Sequence, residues 1–189
     1  MFQLSEASQS ELLRLSRQCL HEFLQTGRKK SEIPTSSELL EKRGAFVTLT
    51  RQGNLRGCIG IPSPVSLLYK TVQECAISAA TVDSRFSPLA FSELAEIEIE
   101  ISVLSPLEVI KDFEKIEIGV HGLVVSHVGR RGLLLPQVAT ERDWDREQFL
   151  QQTCRKAGLP LDAWKEGAKV EWFTAFVFGE GKLNIPGVT

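Results

Sequence analysis

The stretch "EIEIEISVL", Glu96 to Leu104, decides the fold class. Ile97, Ile99, Ile101 and Val103 alternate with Glu96, Glu98, Glu100 and Ser102, the period of a strand with one face in a core and the other in water. Strands of a parallel sheet are covered on both faces, so this pattern argues for an antiparallel sheet. The glutamates then read as its wet face rather than as an acidic site.

Upstream, "AFVTLT" after Gly44 and "LRGCIG", Leu55 to Gly60, have the length and composition of two paired strands. If Val47 and Leu49 share a face with Leu55 and Ile59, parity requires an odd-numbered loop, most simply Gln52-Gly53-Asn54. Thr48 then faces Cys58, Thr50 faces Arg56 and Phe46 faces Gly60. Downstream, "HGLVVSHV", the turn "GRRG" and "LLL" before Pro136 form a second hairpin, with Arg130 and Arg131 in its turn. A last strand runs from Ala168 to Phe178, with Val170, Trp172, Phe176 and Phe178 on one face.

Helices flank these strands. Ser8 and Glu11 have capping-box spacing, and Leu12, Leu15, Cys19, Leu20, Phe23 and Leu24 follow at helical intervals. "QTGRKKSEIPTSSE" is a loop. Ser63 before Pro64 is read as the start of a second helix, with Leu68, Val72, Cys75, Ala76, Ala79 and Ala80 on one face and its end near Asp83. Asp145 and Gln148 cap a third, Trp144 and Phe149 are spaced as a hydrophobic staple, and Gly158 with Pro160 closes it. Helices and hairpins without a strand-helix-strand rhythm make the class α+β.

The 189 residues suit one generous domain or two small lobes. With 42% hydrophobic and 24% charged residues the chain is of ordinary globular composition. A net charge of -2 argues against a general nucleic-acid surface. No basic segment leads into an apolar run at the start, and no stretch approaches the roughly 20 apolar residues of a spanning helix, so no leader or membrane anchor is expected. The cysteines at 19, 58, 75 and 154 form no CxxC pair. A cytoplasmic protein with free thiols is the expectation.

Chemistry concentrates at "NLRGCIGIPSP". Gly57 and Gly60, lacking Cβ atoms, allow a backbone or a ligand to come close to Cys58. The thiol precedes the second helix, whose positive end, with the Arg56 cation, would favour thiolate and hence a nucleophile. The competing reading is a small buried hydrophobe beside a bulge. An anion-cradling turn is a third, weakened by Pro62 and Pro64, which remove two donors. In "TVDSRFSP", Asp83 can orient Arg85 toward a ligand, or the two can form a surface ion pair. His121 and His127 share strand parity, but no third ligand completes a metal site. No metal and no other cofactor is expected.

The runs "LRGCIG", "ECAISAATVDSRFSPL", "EIEISVLSP", "GVHGL" and "GLLLPQVATERDWDREQFLQQTCRKAGLP" together resemble the AMMECR family over roughly Ser8 to Glu180. The resemblance implies a single α+β domain over residues 8–180, a larger and a smaller lobe with "LRGCIG" near the groove between them, and a tail over residues 181–189. It also implies Memo-like and radical SAM proteins as partners. Two functions compete. In one, Cys58 is a nucleophile or covalent acceptor, Arg56 and Arg85 hold a small anionic ligand, Asp83 orients Arg85, and His121 carries a proton. In the other, the same groove is a non-catalytic binding or adaptor surface.

Overall fold

The computed structural model describes residues 2–29 and 32–181. The described residues divide into two compact units, one of Gln3–Leu104 with Phe176–Gly181, the other of Ser105–Ala175 with Phe2. Residues 182–189 of the expected tail lie outside the described residues.

The first unit opens with helix α1, Glu6–Thr26. Its N-cap is Ser5, whose side chain accepts from the Ser8 amide at 3.3 Å, one turn earlier than the expected Ser8–Glu11 box. Leu4 is buried and its carbonyl accepts from Gln9 Nε2 at 2.8 Å, so the chain ahead of Ser8 is already anchored and the helix extends back to it. Glu11 instead takes the Thr35 and Ser36 amides at 2.8 and 3.1 Å, tying the following loop to α1. Leu12, Leu15, Cys19 and Leu20 are buried as the periodicity requires.

Strands β1, Ala45–Arg51, and β2, Asn54–Ile61, form the expected hairpin, with Thr48 opposite Cys58 and Phe46 opposite Gly60. The loop is two residues long, not three. Gln52 and Gly53 turn the chain at φ 51° and 76°, and a bulge at Arg56 restores the odd offset. Thr50 therefore faces Leu55 rather than Arg56, and Leu55 leaves the Val47–Leu49 face and is 43% exposed.

Helix α2 is Leu68–Thr81. It starts four residues after Pro64 because a bridge between Lys42 and Leu67 brings the Glu41 carbonyl to the Leu68 amide at 2.8 Å, so a backbone acceptor supplies what the Ser63 cap was expected to. Strand β3, Ile97–Leu104, pairs antiparallel with β1, placing Ile99, Ile101 and Val103 beside Leu49, Val47 and Ala45. Helix α2 packs on β1 and β2, and α1 packs on α2 and on β3.

In the second unit, β4 is Glu108–Val109, β5 His121–His127 and β6 Arg130–Leu134. The β5–β6 turn is Val128-Gly129, with His127 opposite Arg130, so Arg130 and Arg131 are strand residues, not turn residues. A short helix α3, Pro136–Glu141, precedes α4, Arg146–Lys156, whose Asp145–Gln148 capping box is formed in both directions. Strand β7, Lys169–Gly179, pairs antiparallel with β4 and β5. Val170 joins Phe149, Leu150, Cys154 and Leu123 in this unit's core, with Trp172 and Trp144 packed against it. The opposite face of β7 is covered too, since Phe173 is 1% exposed. The last four residues of β7, Phe176–Gly179, belong to the first unit. The class is α+β with antiparallel pairing, as the alternation in β3 indicates. Among the described residues no helix is long and apolar enough to cross a membrane.

Candidate functional site

Cys58 sits on β2, the edge strand of the first unit's sheet. Its N–H donates to Asp83 Oδ2 at 2.9 Å and its carbonyl accepts from Arg85 Nη2 at 3.3 Å. Both backbone groups therefore point away from β1, which makes Thr48–Cys58 a non-hydrogen-bonded pair with side chains close together. Thr48 Oγ1 donates to Cys58 Sγ at 3.4 Å. The thiol is half-buried, whereas Cys19, Cys75 and Cys154 are buried.

Asp83 is the hub. Its side chain is 5% exposed, and it accepts from Cys58 N, from Arg85 N at 3.2 Å, from Arg85 Nε at 2.9 Å and from Arg85 Nη2 at 2.7 Å. The Arg85 guanidinium holds the carboxyl far below the usual carboxylate range; burial opposes this and the Cys58 amide adds to it. Asp83 in turn raises the pKa of Arg85, with a smaller contribution from Cys58. The Arg85 side chain is 54% exposed, so the cation is the solvent-facing member of the pair.

Two expected neighbours are committed elsewhere. The Arg56 guanidinium takes Glu93 through Nε and Nη2 at 3.1 and 3.0 Å and the Ser87 carbonyl at 3.0 Å, so its anion is the protein's own. Glu93 also binds Arg51 and the Ala90 amide. Nothing local marks Glu93 in the sequence, because it meets Arg56 only through the path of α2 and the chain after it. The room at Gly57 is taken as well. A Cβ there would lie 2.1 Å from the Ala79 carbonyl oxygen, so the close visitor is α2 and not a ligand. At Gly60 a Cβ would fall on the Phe46 ring.

These contacts correct the dipole expectation. Gly57 meets Ala79 and Cys58 meets Asp83, residues at and just past the C-terminal end of α2, because the helix runs back along the hairpin. The cation beside Cys58 is Arg85, and the positive end of α2 plays no part.

His121 belongs to the second unit, where its Nδ1 accepts from the Glu117 amide at 3.0 Å and its ring stacks on Trp172 at 4.3 Å. The acceptor at Nδ1 leaves Nε2 as the N–H of the neutral ring. His127 ends β5 and is exposed. Among the described residues no group of three His, Cys, Asp or Glu side chains is placed to hold a metal.

Burial pushes the Cys75 thiol up to about 12 and raises Cys19 and Cys154 as well. Iodoacetamide at pH 8 should therefore modify one of the four thiols of the folded protein, Cys58, and all four after unfolding in urea, as read by mass spectrometry of the peptides. Protection of Cys58 in the folded state would make it a core residue.

Residues 13–178 match the model of the AMMECR1 family. The chain is 49% identical to Protein MK0488 of Methanopyrus kandleri over 185 residues, covering 93% of this chain and 89% of that protein. It is 44% identical to a protein of Methanococcoides burtonii over 182 residues, 94% of this chain and 91% of the other. The structure is similar to the crystal structure of Uncharacterized Protein PH0010 from Pyrococcus horikoshii, with a TM-score of 0.84, 41% identity and coverage of 98% and 97%.

Proposed function

The chain belongs to the AMMECR1 family, and on that premise we propose that the corner around Cys58 receives a small anionic ligand, with Arg85 as its cation and the Cys58 thiol as nucleophile or covalent acceptor. One observation carries this reading: a buried carboxylate, Asp83, grips a half-exposed guanidinium and fixes it against the backbone of the cysteine. An arginine aimed this way has lost its rotamer freedom before any ligand arrives, so binding an anion costs less ordering entropy. A charge-assisted hydrogen bond to such a guanidinium is stronger than a neutral one. Thr48 supports the thiol sulfur from the neighbouring strand.

A second reading rests on the same contacts. Asp83 and Arg85 satisfy the outward N–H and C=O of an edge strand, which a binding or adaptor surface without turnover would need equally. The Memo-like and radical SAM partners implied by the resemblance fit this alternative.

Charge-dependent alkylation separates the two. The same thiolate attacks iodoacetate and iodoacetamide, displacing iodide from each, so the ratio of the two rates cancels the thiolate fraction and reports the field felt by the reagent's carboxylate. With Arg85 acting as an anion holder, that ratio at Cys58 should exceed the ratio in the urea-unfolded chain about tenfold, corresponding to about 1.4 kcal/mol. Arg85→Leu should return it to the unfolded value. Equal ratios in folded and unfolded protein would leave the adaptor reading.

A further inference from the structure

We propose that the backbone N–H of Gly60 is the second donor of this anion site, so that a small oxyanion, a carboxylate or a phosphate, is held between it and Arg85; this rests on the reading of Arg85 given above. The outward N–H and C=O of Cys58 show that Thr48–Cys58 is a non-hydrogen-bonded pair, and Phe46–Gly60, two residues along, must be another. The N–H and C=O of Gly60 therefore face the same open edge, and neither is bonded to any described residue.

Along that edge the order of outward groups is Cys58 N–H, Cys58 C=O, Gly60 N–H, Gly60 C=O. Arg85 Nη2 sits on the Cys58 carbonyl, so the guanidinium stands next to the Gly60 N–H. Two donors thus converge beside the thiol, one charged and one from backbone that cannot rotate away. Gly60 carries no side chain of its own, and the Phe46 ring from the other strand occupies the place its Cβ would take, so access to its N–H is from the strand edge.

The geometry also sets the size of the ligand. Asp83 and Arg85 occupy the edge at Cys58, and the next outward position, Pro62, has no N–H to offer. Between those two side chains and Pro62 a single residue of edge is open, too short for an added peptide strand and enough for one oxygen of a small anion.

The test is a titration of the isotope-labelled protein with sodium acetate and with sodium phosphate, followed in amide nitrogen–proton spectra against sodium chloride at equal ionic strength. The Gly60 amide should move downfield and saturate with at least one of the two anions, and Arg85→Leu should abolish the movement while leaving the remaining spectrum in place. Saturation with acetate alone names a carboxylate, and tighter saturation with phosphate names a phosphoryl group. A Gly60 amide that stays put while folded Cys58 keeps its iodoacetate preference overturns this inference and leaves the proposed function standing. Loss of both overturns both. A Gly60 shift that persists undiminished in Arg85→Leu removes the pairing of the two donors.

Discussion

Replacing Gly57 by Ala is expected to lower stability by about 3 kcal/mol, at the upper end of what overpacking a core costs, and the melting temperature of a chain this long by roughly 6–12 °C. The added Cβ would stand 2.1 Å from the Ala79 carbonyl oxygen and 3.0 Å from its carbon. These are backbone atoms of α2, which cannot swing aside as a side-chain tip can. Relief requires α2 to lift from β2, and Leu49, fully buried opposite Gly57, would lose its packing as it did so. Gly53→Ala is the control. Its φ of 76° strains an alanine, but nothing lies within 4 Å of the new Cβ, so about 1 kcal/mol is expected there. Thermal denaturation of both variants decides the matter: a Gly57→Ala cost no larger than that of Gly53→Ala would mean that α2 does not press on β2.

The same corner shows what the sequence could and could not reveal. Alternation in "EIEIE" marked a strand with one buried face, and from it antiparallel pairing and the α+β class followed. Hydrophobic parity in the hairpin placed Cys58 opposite Thr48. Parity constrains only whether the offset is odd, however, and a three-residue loop or a two-residue turn plus one bulge satisfies it equally. The structure uses the bulge, and Arg56 is the residue it displaces, which is why Arg56 meets Glu93 instead of facing Thr50. The start of α2 differs from its Ser63–Pro64 signal for a related reason, because its first amide is satisfied by the Glu41 carbonyl, a partner that no local cap signal announces. Asp83 and Arg85 were legible as neighbours two residues apart. Their reach to the backbone of Cys58 was not, since it depends on the direction in which α2 returns along the hairpin.

Asp83→Asn carries the other large expectation: a loss of about 2–3 kcal/mol near neutral pH, the range for charge-assisted hydrogen bonds at a buried carboxylate. An asparagine of the same size can still accept from the Cys58 amide, but it cannot take the paired Nε and Nη2 donors of Arg85 as an ion. The pH dependence tells charge from shape. The folded carboxyl lies below the unfolded value of about 3.9, chiefly because of Arg85, so its contribution is complete above that pH. As pH falls below about 4 the unfolded chain takes up the proton first, and the contribution fades toward the folded value. Urea denaturation of both proteins should therefore show a stability gap that is constant from pH 5 to 8 and shrinks steadily below pH 4. Glu11, Glu38 and Glu93, also held low in the folded protein, titrate in both proteins and largely cancel in the difference. A gap that does not change down to pH 3 would show that the carboxylate acts through its shape alone. The variant should also lose the iodoacetate preference at Cys58 although Arg85 is still present, because a guanidinium released from Asp83 spends its time in solvent instead of beside the thiol.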